Sequence, residues 1–333
     1  MPLSFDMSYE QLLSYNGRNP RPDDFDDFWD RALESVDTGN IDFSVSRASF
    51  NPVPDIAEFF DLWFEGSGGA RVYAKMVKPV GGYAKRLAVS GKMPCLLEFH
   101  GYSMNSGDWQ SKLSLALCGF TVLSMDCRGQ GGLSEDTGGV SGNTLSGHIV
   151  RGLHDALSGR PDKLLYRNIF LDTVYLAHIA MSLDWVDADR LCATGWSQGG
   201  GLTLACAALV PSIRRVAPVY PFLSDYRRVW EMDLAKDAYE ELATWFRRFD
   251  PMHEREDEVF SALGYIDVQH LVPRIRGDVL WGIGFSDTIC PPSSQFAAYN
   301  KIVSNKRMLV FPDFGHEDLP GIRDRFLEFF LGL

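Results

Sequence analysis

The stretch LCATGWSQGGGLTLACAAL, residues 191–209, constrains the fold more than any other part of the chain. An apolar run enters Ser197, four glycines (Gly195, Gly199, Gly200 and Gly201) crowd around it, and a second apolar run leaves. Residues 195–199 match G-x-S-x-G between a predicted strand and a predicted helix, the setting of a nucleophile elbow. Small residues there let a sharply bent backbone pass close to its neighbours. The bend turns the hydroxyl outward and leaves N–H groups unpaired at the helix start. The pentapeptide alone fits equally a glycine-rich helix start with Ser197 as an ordinary cap. The flanking strand and helix, and the companion residues below, favour the elbow.

The remaining chain supplies a sheet for such a turn. Alternation in AEFFDLWFEG and RVYAKMVKP predicts an antiparallel hairpin turned at residues 66–69. PCLLEFHGY (94–102), FTVLSMDCRGQGG (120–132), RLCATGW (190–196), RVAPVYPFL (215–223), DVLWGIGFSD (278–287) and KRMLVFPDFGH (306–316) read as strands that empty into loops. Helical patterns at 109–118, 166–187, 199–210, 292–302 and 317–332 separate or follow them, and FDDFWDRALESV (25–36) reads as an amphipathic helix packed on the domain. Residues 133–164, rich in glycine and serine, read as an ordered loop. This rhythm places the chain in the α/β class, with a mostly parallel central sheet covered by helices on both faces. The helical patterns at 225–276 break the alternation and read as an insertion over the top of the sheet. With no internal repeat or linker, one domain over residues 1–333, with an N-terminal extension and that helical cap, is the economical organisation.

A serine hydroxyl is a poor nucleophile near neutral pH and needs a base, which in turn needs a carboxylate to orient it. His316 lies in a loop after the last predicted strand, the chain order that such elbows favour. His253 and His270 fall in the helical insertion and are poorer candidates. Asp287 sits just beyond the apolar strand VLWGIGF, at the carboxyl edge where α/β sheets carry their chemistry. Asp313 and Asp318 remain alternatives by closeness in sequence. An oxyanion hole would combine the N–H of Gln198 with one from HGYSMNSGD (100–108), where Tyr102 is the best placed donor. DCRGQGG (126–132) lacks the lysine and hydroxyl of a phosphate-binding loop. Arg128 and Gln130 are therefore expected to tie loops together, with a buried carboxylate on the arginine.

Composition removes other classes. With 44 acidic and 32 basic residues the formal charge is -12, which argues against nonspecific binding to nucleic acid or anionic membrane. The N-terminus has no basic-then-apolar leader, and no run is long enough to span a bilayer. The six cysteines, Cys95, Cys118, Cys127, Cys192, Cys206 and Cys290, form no CxxC pair and mostly occupy apolar runs, as reduced thiols of a cytoplasmic protein do. His148 and His154 share no zinc pattern, and no metal or other cofactor is expected.

Over nearly its whole length the sequence resembles the acetyl xylan esterase/cephalosporin C deacetylase family, carbohydrate esterase family 7. The resemblance is carried by HGY (100–102), RGQG (128–131), GWSQGG (195–200) and HE (316–317), with GHIVRG (147–152), RNIFLDTV (167–174), PFLSDYRR (221–228), YIDVQHLVPRI (265–275) and SDTICPPSSQFAAYNKI (286–302). It implies an α/β-hydrolase fold, Ser197, Asp287 and His316 as catalytic residues, and the backbone of Tyr102 and Gln198 as oxyanion donors. The implied substrates are acetylated xylo-oligosaccharides, other acetylated sugars and cephalosporin C. It also implies an intracellular homo-oligomer, a hexamer built as a trimer of dimers. The competing readings are a serine peptidase of the same superfamily and a catalytically silent binding protein. Retention of all three catalytic residue types speaks against the silent protein, and the absence of room for a propeller speaks against the peptidase.

Overall fold

The computed structural model describes residues 5–137 and 148–333. Among these residues nine strands form one sheet: β1 (Phe43–Arg47), β2 (Ala57–Glu65), β3 (Arg71–Pro79), β4 (Met93–Phe99), β5 (Thr121–Met125), β6 (Val186–Trp196), β7 (Arg215–Val219), β8 (Asp278–Gly284) and β9 (Lys306–Phe311). Their spatial order is β1-β2-β3-β5-β4-β6-β7-β8-β9. The first three pair antiparallel, β3 pairs antiparallel with β5, and β5 onward is parallel throughout. The expected hairpin is β2–β3, closed by a short 3-10 turn at Ser67–Gly69. β1 is an addition at the edge: FSVSR is almost wholly exposed, with Phe43 alone packed against the core.

Alternation along the strands divides two cores. Cys95, Leu97 and Phe99 of β4 point to one face, with the helices Leu165–Ser182 and Gln198–Leu209; Leu96 points to the other, with Ile322, Phe326 and Phe330 of the last helix, Ile322–Leu331. Every residue of Gln198–Leu209 is buried, which is why small residues dominate its sequence. Of the loop expected at 133–164, residues 138–147 lie outside the described part. The rest contains a short helix, Leu153–Ala156, and a 3-10 turn, Pro161–Lys163. Helices Tyr226–Glu231, Glu240–Phe249, Glu256–Leu263 and Val268–Leu271 fall between β7 and β8. No helix among the described residues is long and apolar enough to cross a membrane.

The N-terminal segment is fastened to this helical region by a buried carboxylate. Asp225 accepts hydrogen bonds from the Tyr15 hydroxyl (2.8 Å) and from the N–H groups of Arg18 (2.9 Å) and Asn19 (2.7 Å). The N–H of Asp225 in turn donates to both oxygens of Asp267 (3.1 and 3.0 Å). Burial, then the neighbouring Asp225 charge, pushes the Asp267 carboxyl up to about 7, while Gln269 and Lys301 oppose the rise. The folded state therefore holds a proton that the unfolded chain releases near its ordinary carboxylate value. Stability from this group is complete below about pH 4 and is lost as pH rises toward 7. The unfolding free energy of the parent, relative to an Asp267→Asn variant, should fall across that window. Urea titrations at several pH values measure it, and a difference that stays flat from pH 4 to 8 contradicts the assignment.

Candidate active site

Ser197 joins β6 to the helix Gln198–Leu209 with φ 56° and ψ -118°, a conformation that costs a non-glycine residue about 1–3 kcal/mol. Neighbouring strands hold the bend. The Ser197 N–H donates to Val219 O at 3.0 Å, and its carbonyl accepts from the N–H groups of Gly201 and Phe222, each at 3.0 Å. The glycines answer to space. A Cβ on Gly199 would stand 2.0 Å from the carbonyl oxygen of Phe99, at the end of β4. A Cβ on Gly195 would stand 2.4 Å from the backbone of Gly199. The chain therefore crosses itself and its neighbour at contact distance only because both positions lack a side chain.

Asp287 and His316 follow β8 and β9 and meet beside this bend. Asp287 is fully buried, and its Oδ2 lies 2.8 Å from His316 Nδ1. Its Oδ1 accepts the N–H groups of Ile289 (2.9 Å) and Cys290 (2.8 Å). An ionised carboxylate only accepts, so Nδ1 carries the imidazole proton and Nε2 keeps its lone pair. The Tyr220 ring packs on the imidazole with centroids 4.4 Å apart. The sequence alternatives are elsewhere: Asp318 is exposed and pairs with Arg323 at 3.1 Å, and Asp313 is exposed.

Cys290 ties Ser197 to the pair, a contact that sequence reading did not supply. Its thiol lies beside the Ser197 side chain, and burial followed by the Asp287 charge pushes that thiol well up. Cys290 is therefore a neutral neighbour of the hydroxyl rather than a competing thiolate. The sulfur, an Asp287 oxygen and a His316 ring nitrogen lie within 4.8 Å of one another. Such a trio can present metal ligands, yet both Asp287 oxygens and His316 Nδ1 are already spent on hydrogen bonds within the protein. All six cysteines are unpaired, and burial with raised thiol pKa values opposes oxidation at Cys127 and Cys290.

The loop after β4 is cross-linked to the residue after Ser197. Gln130 and Gln198 exchange amide hydrogen bonds (2.8 and 3.0 Å), and Gln130 Oε1 also accepts the N–H of Ser103 at 3.0 Å. Tyr166 adds its hydroxyl to Gln198 Oε1 at 2.7 Å. The loop's start is set by His100: Nδ1 donates to Gly101 O (2.7 Å) and Nε2 accepts the Cys127 N–H (2.9 Å). Burial lowers the pKa of His100, as this neutral tautomer requires. Tyr102 and Gln198 are thus held on adjoining loops, with Gln198 opening a helix whose first N–H groups have no intrahelical acceptor. The expected roles of Arg128 and Gln130 agree with this picture. Arg128 makes a two-pronged pair with buried Asp172 (2.7 and 2.6 Å), which also accepts the Ser67 N–H at 3.0 Å. His148 is buried with Nε2 3.1 Å from Ser103 Oγ, whereas His154 is exposed on its short helix, so the two share no ligand position.

The profile of the acetyl xylan esterase family matches residues 1–333. The chain belongs to that family. It is similar to acetyl xylan esterase 1 from Thermoanaerobacterium sp. JW/SL YS485, with 52% identity, a TM-score of 0.92 and coverage of 98% of this chain and 99% of that one. An acetyl xylan esterase from Paenibacillus sp. R4 shares 33% identity with a TM-score of 0.90 over 98% of this chain and 99% of the other. An acetyl esterase from Xylanibacter ruminicola is 24% identical over 327 residues, 94% of this chain and 69% of its own length. Likeness to peptidases such as an acylaminoacyl peptidase from Pyrococcus horikoshii, at 16% identity, a TM-score of 0.55 and 83% of this chain against 41% of that one, is a likeness of fold alone. This family member is therefore an esterase with an α/β-hydrolase fold.

The buried Arg128–Asp172 pair offers a direct check on how the loops are held. Both side chains are at most 2% exposed, so Asp172→Ala leaves an unpaired buried cation and should cost about 3–5 kcal/mol of unfolding free energy. Chemical denaturation reads this, and a loss under about 1 kcal/mol contradicts the pair's role as the fastening of the β5 loop.

Proposed function

We propose that Ser197, His316 and Asp287 form a catalytic triad that removes acetyl groups from acetylated xylo-oligosaccharides and related sugars. His316 Nε2 takes the proton of Ser197 as Oγ attacks the acetyl carbonyl carbon. The carbonyl electron pair moves onto oxygen, where the N–H groups of Tyr102 and Gln198 stabilise it. Collapse of the tetrahedral intermediate expels the sugar alkoxide, which receives the proton from His316, and leaves acetyl-Ser197. Water then loses a proton to His316 as it attacks the acyl carbonyl, and acetate departs as Ser197 recovers its proton. Asp287 stays ionised and fixes the tautomer throughout.

The observation that carries this reading is the 2.8 Å hydrogen bond from His316 to a fully buried Asp287, beside the strained Ser197 bend. The 52% identity to an acetyl xylan esterase supports the acetyl group as the one removed. By family resemblance the reading extends to cephalosporin C, an acetyl ester of similar leaving-group chemistry, and to a hexameric assembly. Six unpaired cysteines favour a reducing, cytoplasmic setting. The helical insertion between β7 and β8 serves in this reading as a cap that narrows access to short acyl groups.

The test is Ser197→Ala assayed on an acetyl ester and on acetylated xylo-oligosaccharides. A folded variant should lose about 10³-fold or more in kcat/KM, and near-parent turnover contradicts the triad. A panel of short peptide amides and longer acyl esters accompanies it. Peptide hydrolysis comparable to acetate release would favour the peptidase reading instead.

A further inference from the structure

The insertion touches the candidate oxyanion loop through one buried acid. Glu241 lies in the first turn of Glu240–Phe249 and is only 9% exposed. Its Oε1 accepts the Tyr102 hydroxyl and the His148 N–H (3.1 Å), and its Oε2 accepts the Val150 N–H (2.9 Å). Every one of these partners is a donor. The two backbone N–H groups can only donate, whereas the Tyr102 hydroxyl can donate or accept, so the acid holds the phenol and the 148–150 backbone together in either protonation state, and burial raises its pKa. The rigid Tyr102 ring is wedged between His148 (4.8 Å between centroids) and Phe222 (5.6 Å). On its far side the same loop is fixed by Gln130 through the Ser103 N–H, 3.0 Å.

We propose that Glu241 is a positioning residue for the oxyanion hole: by gripping the Tyr102 hydroxyl from the insertion, it sets where the Tyr102 backbone N–H meets the substrate carbonyl. Nothing in the triad chemistry requires this acid, and it does not touch the reacting atoms. An oxyanion donor displaced by a few tenths of an ångström loses much of its value, because its benefit depends on geometry fixed before charge develops. A tyrosine whose phenol is gripped, and whose following residue is held by its backbone N–H, has little freedom to drift. The insertion thereby becomes part of the catalytic geometry as well as a cover. The inference rests on the function proposed above.

The experiment compares the parent with Tyr102→Phe, Glu241→Gln and the double variant on an acetyl ester and its thionoester, in which C=S replaces C=O. Each single change should lower kcat for the oxygen ester by about 10-fold with KM within about 2-fold, since the interaction acts mainly in the transition state. The double variant should fall no further than the worse single, because both remove one contact. The ratio of oxygen-ester to thionoester turnover should drop in step, since a larger, weakly accepting sulfur draws little from the hole; a general loosening of the protein lowers both alike. Unchanged kcat, multiplicative losses in the double variant, or an unchanged ratio each overturn the proposal. Tyr102→Phe, which removes one oxygen, carries the kcat and ratio tests by itself where Glu241→Gln fails to fold. Ser197→Ala in the same assay separates the two ideas: if it keeps turnover, the triad reading fails, and if it abolishes turnover while the Glu241 and Tyr102 variants behave as the parent, only the positioning role fails.

Discussion

The site depends on a backbone that must bend where bending is unfavourable. Ser197 sits at φ 56° because β6 has to end and a buried helix has to begin within one residue. The strain persists because the surroundings over-determine it: Val219 holds the N–H, Gly201 and Phe222 hold the carbonyl, and Phe99 leaves no room for a side chain on Gly199. Three parallel strands, β4, β6 and β7, therefore meet at the bend. Their register in the sheet sets how far the hydroxyl stands from the loops that follow β8 and β9, and the sheet acts as the frame of the chemistry.

Buried carboxylates do the rest of the fastening, each with a different class of partner. Asp287 holds an imidazole, Asp172 a guanidinium, Glu241 a phenol and two backbone N–H groups, and Asp225 a phenol and two backbone N–H groups from the N-terminal segment. Removed from water, a carboxylate is costly unless donors surround it, so each fixes the geometry of whatever donates to it. The net charge of -12 is thus only partly a surface property, since several of the acids are structural fasteners inside the fold.

Much of this was readable from residue order. The elbow was legible because glycine spacing, an apolar strand and an apolar helix coincide around Ser197, and Asp287 and His316 because each follows a strongly apolar strand. The partners of Arg128 and Gln130 were legible only as types, since Asp172 sits in the middle of a helix with no local mark. Glu241 and the Cys290–Ser197 contact were hidden for a related reason: both depend on side chains from separate segments meeting, and neither leaves a periodic or motif trace. The edge strand β1 escaped because its alternation is only two apolar residues long, Phe43 and Val45, and the second of them faces solvent.

At the centre of the account is the proposal that the Ser197 hydroxyl is served on one side by the His316 imidazole and on the other by two backbone N–H groups. A crystal structure of the enzyme reacted with a methylphosphonate ester examines all of these at once, because the adduct mimics the tetrahedral intermediate. The account predicts phosphorus bonded to Ser197 Oγ and His316 Nε2 within hydrogen-bond reach of the ester oxygens. The phosphoryl oxygen should lie at about 2.7–3.1 Å from the N–H groups of both Tyr102 and Gln198. An adduct on another residue, or a phosphoryl oxygen turned to solvent with neither N–H in reach, would contradict it.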